Sequence, residues 1–292
     1  MKKLVQPITI SALVLLLGAC GTGEDSTEDQ NSGGTGDANE ENTAEEENTT
    51  LTVGATNVPH SEILEFASDQ LAEEGIDLEI ETFNDYVLPN KALAQEEIDA
   101  NYFQHIPYFE GQLEENDDYD FVNAGGVHIE PIGVYSQEYD SLDELPDGAE
   151  IIMSSSVADH GRILMMLEEE GLISLPDDAG IDASIEDIEE NPNNFEFRAD
   201  IEAATLPQAY KNGEGDAVLI NSNFAIDAGL SPAEDAIALE NAENNPYVNI
   251  VAVRSEDEEN EDIQTLVDVM QSEEVAQFIE DEYDGAVIPA EE

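Results

Sequence analysis

From residue 51 onward, apolar positions recur at strand period and at helix period in alternation. Leu51-Thr52-Val53-Gly54-Ala55 is a short strand-like run, and Ser61 to Glu73 sets Ile63, Leu64, Phe66, Ala67 and Leu71 along one side of a helix. Asp77 to Phe83 alternates as a second strand, and Phe121 to Ser136 holds two strand-like runs about Gly125-Gly126. A second series follows, with strands over Ala149 to Ser154, Phe195 to Ile201 and Asp216 to Asn221 and helices over Gly161 to Glu170 and Leu206 to Asn212. The chain closes with a strand, Tyr247 to Arg254, and one amphipathic helix, Glu261 to Asp281, carrying Ile263, Leu266, Val267, Met270, Val275, Phe278 and Ile279.

This alternation predicts an α/β architecture with largely parallel sheets. At 292 residues the chain is long enough for two bodies, each with its own core. The expected division is 51–138 for the first part of lobe I, 139–246 for lobe II and 247–292 for the return to lobe I. A cleft between two such lobes is where a small ligand usually sits.

The first 50 residues have a different pattern. Residues 1–19 read as an export signal, with Lys2 and Lys3 before a mostly apolar stretch from Leu4 to Leu17 that is short and interrupted for a membrane span. Leu17-Gly18-Ala19-Cys20 resembles the bacterial lipobox, in which the cysteine is acylated, palmitate-type, and becomes the mature N-terminus. Cys20 is the only cysteine, so no internal disulfide can form. Residues 20–50 are acid-rich, without Lys, Arg, Leu, Ile, Val or aromatic residues after the cysteine, and so read as a disordered tether. The expected address is the extracytoplasmic face of the cell membrane, held by lipid.

Charge sharpens this reading. A net charge of −64, from 71 acidic and 7 basic residues, repels itself unless counterions screen it, which points to a halophilic habitat. Nucleic acid and anionic membrane surfaces are excluded as direct partners. With 40% hydrophobic residues at regular spacing, the part after residue 50 is nevertheless a folded body.

Three sets of residues carry candidate chemistry. Arg162 follows the strand Ile151-Ile152-Met153-Ser154 and is expected in the first turn of a helix beginning near Gly161, where free N–H groups and a guanidinium suit a carboxylate; a surface arginine paired with neighbouring acids is the alternative. Asn221 ends the strand Ala217 to Ile220, at the strand terminus where open α/β sheets bind ligands, or else serves as a turn or helix cap. Tyr102, Phe103, His105 and Tyr108 cluster around Pro107, which is expected to interrupt any helix there; they form either an aromatic wall for an apolar side chain or ordinary core.

Several longer stretches carry a resemblance. Phe83-Asn84-Asp85-Tyr86-Val87-Leu88-Pro89-Asn90, Ile98 to Tyr108, Asn191-Pro192, Ala217 to Asn221, Ser231-Pro232, Pro246-Tyr247-Val248-Asn249 and Gly285-Ala286-Val287-Ile288-Pro289 together resemble the NlpA lipoprotein family, over about residues 51 to 290. The resemblance implies a type II periplasmic-binding-protein fold whose two lobes close on one amino acid. It further implies a methionine-binding lipoprotein that passes its ligand to an ABC importer permease driven by a cytoplasmic ATPase. The ligand is methionine or a close relative such as D-methionine or a methionyl peptide. Carried over by motif, Tyr86, Phe103, His105 and Tyr108 line the methionine side-chain pocket, Arg162 binds the α-carboxylate and Asn221 holds the polar end. The segment Asp159-His160-Gly161-Arg162 departs from the family's Asn-x-x-Arg pattern, so Asp159 either meets the ligand or reflects general acidic drift. No cofactor, no metal and no catalysis are implied, and the protein is expected to be a monomer.

Two other classes compete. His60, His105, His128 and His160 with abundant carboxylates could hold zinc or manganese in a metal-transport lipoprotein, although none shows close ligand spacing. Ser154-Ser155-Ser156 with His160 evokes an exported hydrolase, but no nucleophile elbow, metalloprotease helix or P-loop accompanies it.

Overall fold

The computed structural model describes residues 48–243 and 245–290. The expected export signal, Cys20 and the tether as far as residue 47 lie outside them. In chain order the principal elements of the first lobe are β1 (Thr49–Thr56), α1 (Glu62–Glu73), β2 (Ile76–Phe83), α2 (Leu88–Ala94), β3 (Ala100–His105), α3 (Ile106–Glu115) and β4 (Phe121–Ile129). The second lobe contains β5 (Gly133–Tyr135), β6 (Glu150–Ser154), α4 (Val157–Glu169), β7 (Glu196–Ile201), α5 (Leu206–Lys211), β8 (Ala217–Ile220), α6 (Ser222–Asp227), α7 (Pro232–Asp235) and β9 (Ala238–Leu239). The chain returns with β10 (Val248–Arg254), α8 (Glu261–Met270), α9 (Glu273–Tyr283) and β11 (Ile288–Pro289).

Two sheets result. The first has the order β11-β4-β10-β3-β1-β2 and the second β7-β6-β8-β5-β9. Each is mixed, which corrects the expectation of largely parallel sheets. In the first, β1 runs parallel to β2 and β3, but β10 runs antiparallel to β3 and β4. In the second, β6 runs parallel to β7 and β8, whereas β5 is antiparallel to β8 and β9. Of the reversed strands, β5 and β10 enter a sheet directly from the other lobe, without the crossover helix that a parallel connection requires, whereas β11 follows α9 and lies antiparallel to β4 at the sheet edge.

Pairing also moves two boundaries. The first passage between lobes falls between β4 and β5, at 130–132, because β5 already pairs in the second sheet; the expectation had placed it after residue 138. Thr49 and Thr50 are paired with Ile76 and Asp77, so the strand begins inside the span expected to be tether. Two strands do occupy Phe121 to Ser136, but the break falls at 130–132 and not at Gly125-Gly126, which lies inside the continuous strand β4.

Each sheet buries its own core. Ile63, Leu64 and Leu71 of α1 join Val53, Val251, Leu266 and Ile279 under the first sheet. In the second lobe Ile163, Leu164 and Leu167 of α4 pack with Ile151, Met153 and Leu219. A fully buried aliphatic side chain contributes about 1.5–3 kcal/mol, so α4 is anchored by its apolar face and can present its other residues to the cleft.

Three local expectations change. Pro107 does not interrupt a helix but starts one, since a first-turn proline lacks only an N–H that has no intrahelical partner. The final helix is two, α8 and α9, separated at Gln271-Ser272, where the Ser272 side chain accepts a hydrogen bond from the Val275 N–H. Helix α4 begins at Val157 after an extended Ser156, one turn earlier than expected. Asp159 therefore occupies the first turn, where the helix dipole favours a carboxylate, and Arg162 lies in the second.

Candidate functional site

A cavity between the lobes is lined from the first by Tyr86, Phe103, His105 and Tyr108 and from the second by Asp159, Arg162 and Asn221. All seven candidate ligand residues singled out in the sequence therefore line one space. His60, Gln104, Glu130, Ser222, Asn223 and Asn249 complete its lining. Tyr102, the remaining member of the aromatic cluster, is fully buried in the core of the first lobe and does not face the cavity.

The aromatic wall is held by its own polar atoms. Tyr86 lies with its ring centroid 6.2 Å from that of Phe103, 5.9 Å from Tyr108 and 4.9 Å from Phe224. The Tyr108 hydroxyl donates to the Tyr86 carbonyl at 2.8 Å, and the Tyr86 hydroxyl donates across the cleft to Asn223 Oδ1 at 2.8 Å. Burial raises both phenols far above their ordinary range, so both stay neutral donors. Rings fixed in this way present an apolar face to the cavity while their hydroxyl groups are satisfied elsewhere.

His105 links that wall to the polar side. It caps α3 by accepting the Tyr108 N–H at Nδ1, 3.1 Å away, which assigns the proton to Nε2. Nε2 then donates across the cleft to Asp159 Oδ1 at 3.3 Å. Asp159 is 1% exposed. Burial alone would raise its carboxyl, but the hydrogen bond from His105, with help from the Arg162 charge and the Asn221 hydrogen bond, holds it below the usual range, so it is ionised.

Asn221 is the residue before α6, yet its side chain makes no cap bond. Its Nδ2 donates to Asp159 Oδ2 at 3.2 Å. Its Oδ1 is buried without a hydrogen-bond partner. A buried acceptor left unmade costs about 1–3 kcal/mol, so a donor arriving in the cavity would recover that amount.

Arg162 is 3% exposed and already paired. Nε lies 3.0 and 3.1 Å from the two carboxylate oxygens of Glu240, Nη2 contacts Glu240 Oε2 as well, and Nη2 donates to the Glu130 carbonyl at 2.8 Å. Its guanidinium carbon stands 4.4 Å from the centroid of the Tyr247 ring. Burial opposes its charge, but Glu240 outweighs this and keeps the group protonated. Arg162 lines the cavity, and its Nη1 makes no hydrogen bond among the described residues.

Below the cavity lies a buried network that sequence spacing did not reveal. Glu130 Oε1 accepts from His128 Nε2 at 2.8 Å and lies 3.2 Å from His60 Nε2, while Oε2 accepts the Asn223 N–H at 3.0 Å. The Nε2 atoms face acceptor oxygens, Glu130 Oε1 for His128 and Asn249 Oδ1 for His60, which places both ring protons there and lets the Nδ1 atoms accept from the Thr56 and Tyr102 hydroxyls. Burial lowers His60 to about 4 and His128 to about 3 and raises Glu130. His60, His128 and Glu130 bring their ligating atoms within 4.8 Å of one another, in space though not in sequence. Each of the three side chains already has hydrogen-bond partners, His60 Nε2 through Asn249 Oδ1 at 3.1 Å.

His160 serves the fold rather than the cavity: its Nε2 bonds the Ser154 carbonyl at 2.9 Å, and the Ser154 hydroxyl accepts the Ser156 N–H. The serine run and His160 thus form no nucleophile–base pair. Among the described residues no helix is long and apolar enough to cross a membrane.

The family model for the NlpA lipoprotein matches residues 51–291. The methionine-binding lipoprotein MetQ of Bacillus subtilis is 49% identical, over 86% of this chain and 92% of its own length. The D-methionine-binding lipoprotein MetQ of Escherichia coli K12 is 38% identical, over 73% and 78%. Among solved structures, a nutrient binding protein from Burkholderia cenocepacia bound to methionine has a TM-score of 0.77 at 38% identity, with 82% of this chain and all of that one covered. An ABC transporter periplasmic substrate-binding protein from Coxiella burnetii gives a TM-score of 0.77 at 36% identity, with the same coverage.

Proposed function

The chain belongs to the NlpA lipoprotein family, and from that membership and the chemistry of the cavity we propose that it captures methionine, or a close relative, and delivers it to an ABC importer. It is a binding protein and not an enzyme. The observation that carries the ligand reading is the buried, unpartnered Asn221 Oδ1 beside the ionised Asp159, opposite a wall of three aromatic rings. An ammonium group supplies the missing donor to Asn221 and a cation for Asp159. The acid end of the same molecule accepts from Arg162 Nη1. The thioether then lies against Tyr86, Phe103 and Tyr108, where each sulfur–aromatic contact is worth about 0.3–1.5 kcal/mol.

His105 has a positioning role in this reading, since it spans from the aromatic wall to Asp159 and joins the two lobes. Closure of the lobes around the guest excludes water and makes each polar contact stronger than it would be in the open cleft. Acylation of Cys20 would hold the body beside its permease and ATPase partners.

Mass spectrometry of small molecules released from gently purified protein, followed by titration calorimetry in molar salt, tests the proposal. A released thioether amino acid and saturable heat with methionine are expected. A protein that releases no amino acid and gives no heat with either enantiomer refutes it.

A further inference from the structure

The guanidinium that faces the acid end of the guest is not a free cation. Glu240 holds two of its nitrogens through a buried pair in which the side chains are 3% and 9% exposed. Glu240 is fixed in turn by the main-chain N–H of Ile132, 3.0 Å from Oε2. It does not line the cavity, so it can act on a guest only through Arg162. The fork-on-carboxylate arrangement is the strongest geometry available to an arginine, and an incoming carboxylate would have to displace it to gain the same two bonds.

Charge points the same way. Among the described residues Arg162 is the one lysine or arginine side chain lining the cavity, against Asp159 and Glu130 within it and Glu240 behind it. The attraction that a ligand carboxylate feels from Arg162 is therefore largely offset by Glu240. Asp159 keeps its own full attraction for an ammonium.

We propose, resting on the methionine reading above, that Glu240 is a positioning residue that neutralises Arg162 and aims Nη1, so that the cleft reads charge at the ammonium end of its guest. The acyl end is read as a hydrogen-bond acceptor, charged or not. The ligand class accordingly extends from the α-amino acid to its carboxamide.

Calorimetry on the full chain with methionine and methioninamide decides this, at about pH 6 so that both ammonium groups hold their proton. In the parent the two dissociation constants should lie within about tenfold of each other. Glu240→Gln removes the compensating charge, and the preference for methionine over the amide should then rise by about tenfold or more. Glu240→Asp keeps the charge, so its ratio should stay near that of the parent even where both affinities fall. A larger preference for methionine in the parent, or the same ratio in Glu240→Gln as in the parent, overturns the role of Glu240 and leaves the methionine reading intact. Should Glu240→Gln fail to fold, the parent ratio and Glu240→Asp decide. Binding of neither molecule overturns the methionine reading and this proposal with it.

Discussion

Asp159 is the residue at which this chain's electrostatics are most distinctive. It is ionised and buried, and both its oxygens are used, one by His105 and one by Asn221. Replacing it with asparagine keeps the shape and removes the charge, so methionine affinity should fall about tenfold, the difference between a charge-assisted and a neutral hydrogen bond. Calorimetry with L- and D-methionine measures this, and an unchanged dissociation constant would show that the carboxylate does not meet the ammonium. The paired histidines make a different prediction, about stability. Burial holds His60 at about 4 and His128 at about 3, below the value of about 6.5 for an unfolded histidine. Between those values the unfolded chain binds the extra protons, so stability is lost as pH falls through that window, by about 1.4 kcal/mol per pH unit for each histidine. Glu130, with its carboxyl raised by burial, works in the opposite sense between its unfolded and folded values. His60→Gln should therefore flatten the acid limb of a urea-unfolding series run from about pH 6.5 to about pH 4.5; a limb as steep as that of the parent would count against this account.

Element by element, the site depends on how closely α4 packs. Gly161 lies where a Cβ would stand 2.1 Å from the Ile181 carbonyl oxygen, a main-chain atom that cannot swing aside. Gly161→Ala should therefore cost about 1–3 kcal/mol in stability, as overpacking does, and weaken ligand binding because Asp159 and Arg162 ride on the same helix. A melting temperature and an affinity both equal to the parent's would contradict this. Much at this scale was legible. Strands β1, β2, β6, β7, β8 and β10 follow apolar runs of strand length, and α1 follows a helical stripe. Other features were hidden for specific reasons. Pro107 reads as a breaker unless the capping bond from Tyr108 N–H to His105 is known, and the start of α4 depends on Ser156 being extended, not on any residue at Gly161. Ser272 divides α8 from α9 by capping the second, although the apolar spacing continues through it. Glu240 could not be found at all, because one functional glutamate among 71 acidic residues has no mark in sequence. The Glu130 network was hidden for another reason: His60 and Glu130 meet only when two distant segments fold together.

For the molecule as a whole, net charge sets the terms. With −64 on 292 residues, self-repulsion opposes the compact state, and counterions relieve it. Raising potassium chloride from about 0.1 M to about 2 M should raise the urea midpoint, whereas an uncharged osmolyte matched for osmolarity should do so to a smaller degree. Equal effects of the two would show that charge screening is not the cause. Two lobes were legible because two α/β series follow one another. The place of the first passage was not, because Gly133–Tyr135 is too short to signal which sheet it joins. Arg162 is bonded to both passages, through the Glu130 carbonyl at one and Glu240 beside the other. When two bodies swing apart, whatever lies at the pivot travels least. A departing guest would thus slip its sulfur end free while its acid end was still tethered, and the order of release, tail before head, would be built into the backbone itself.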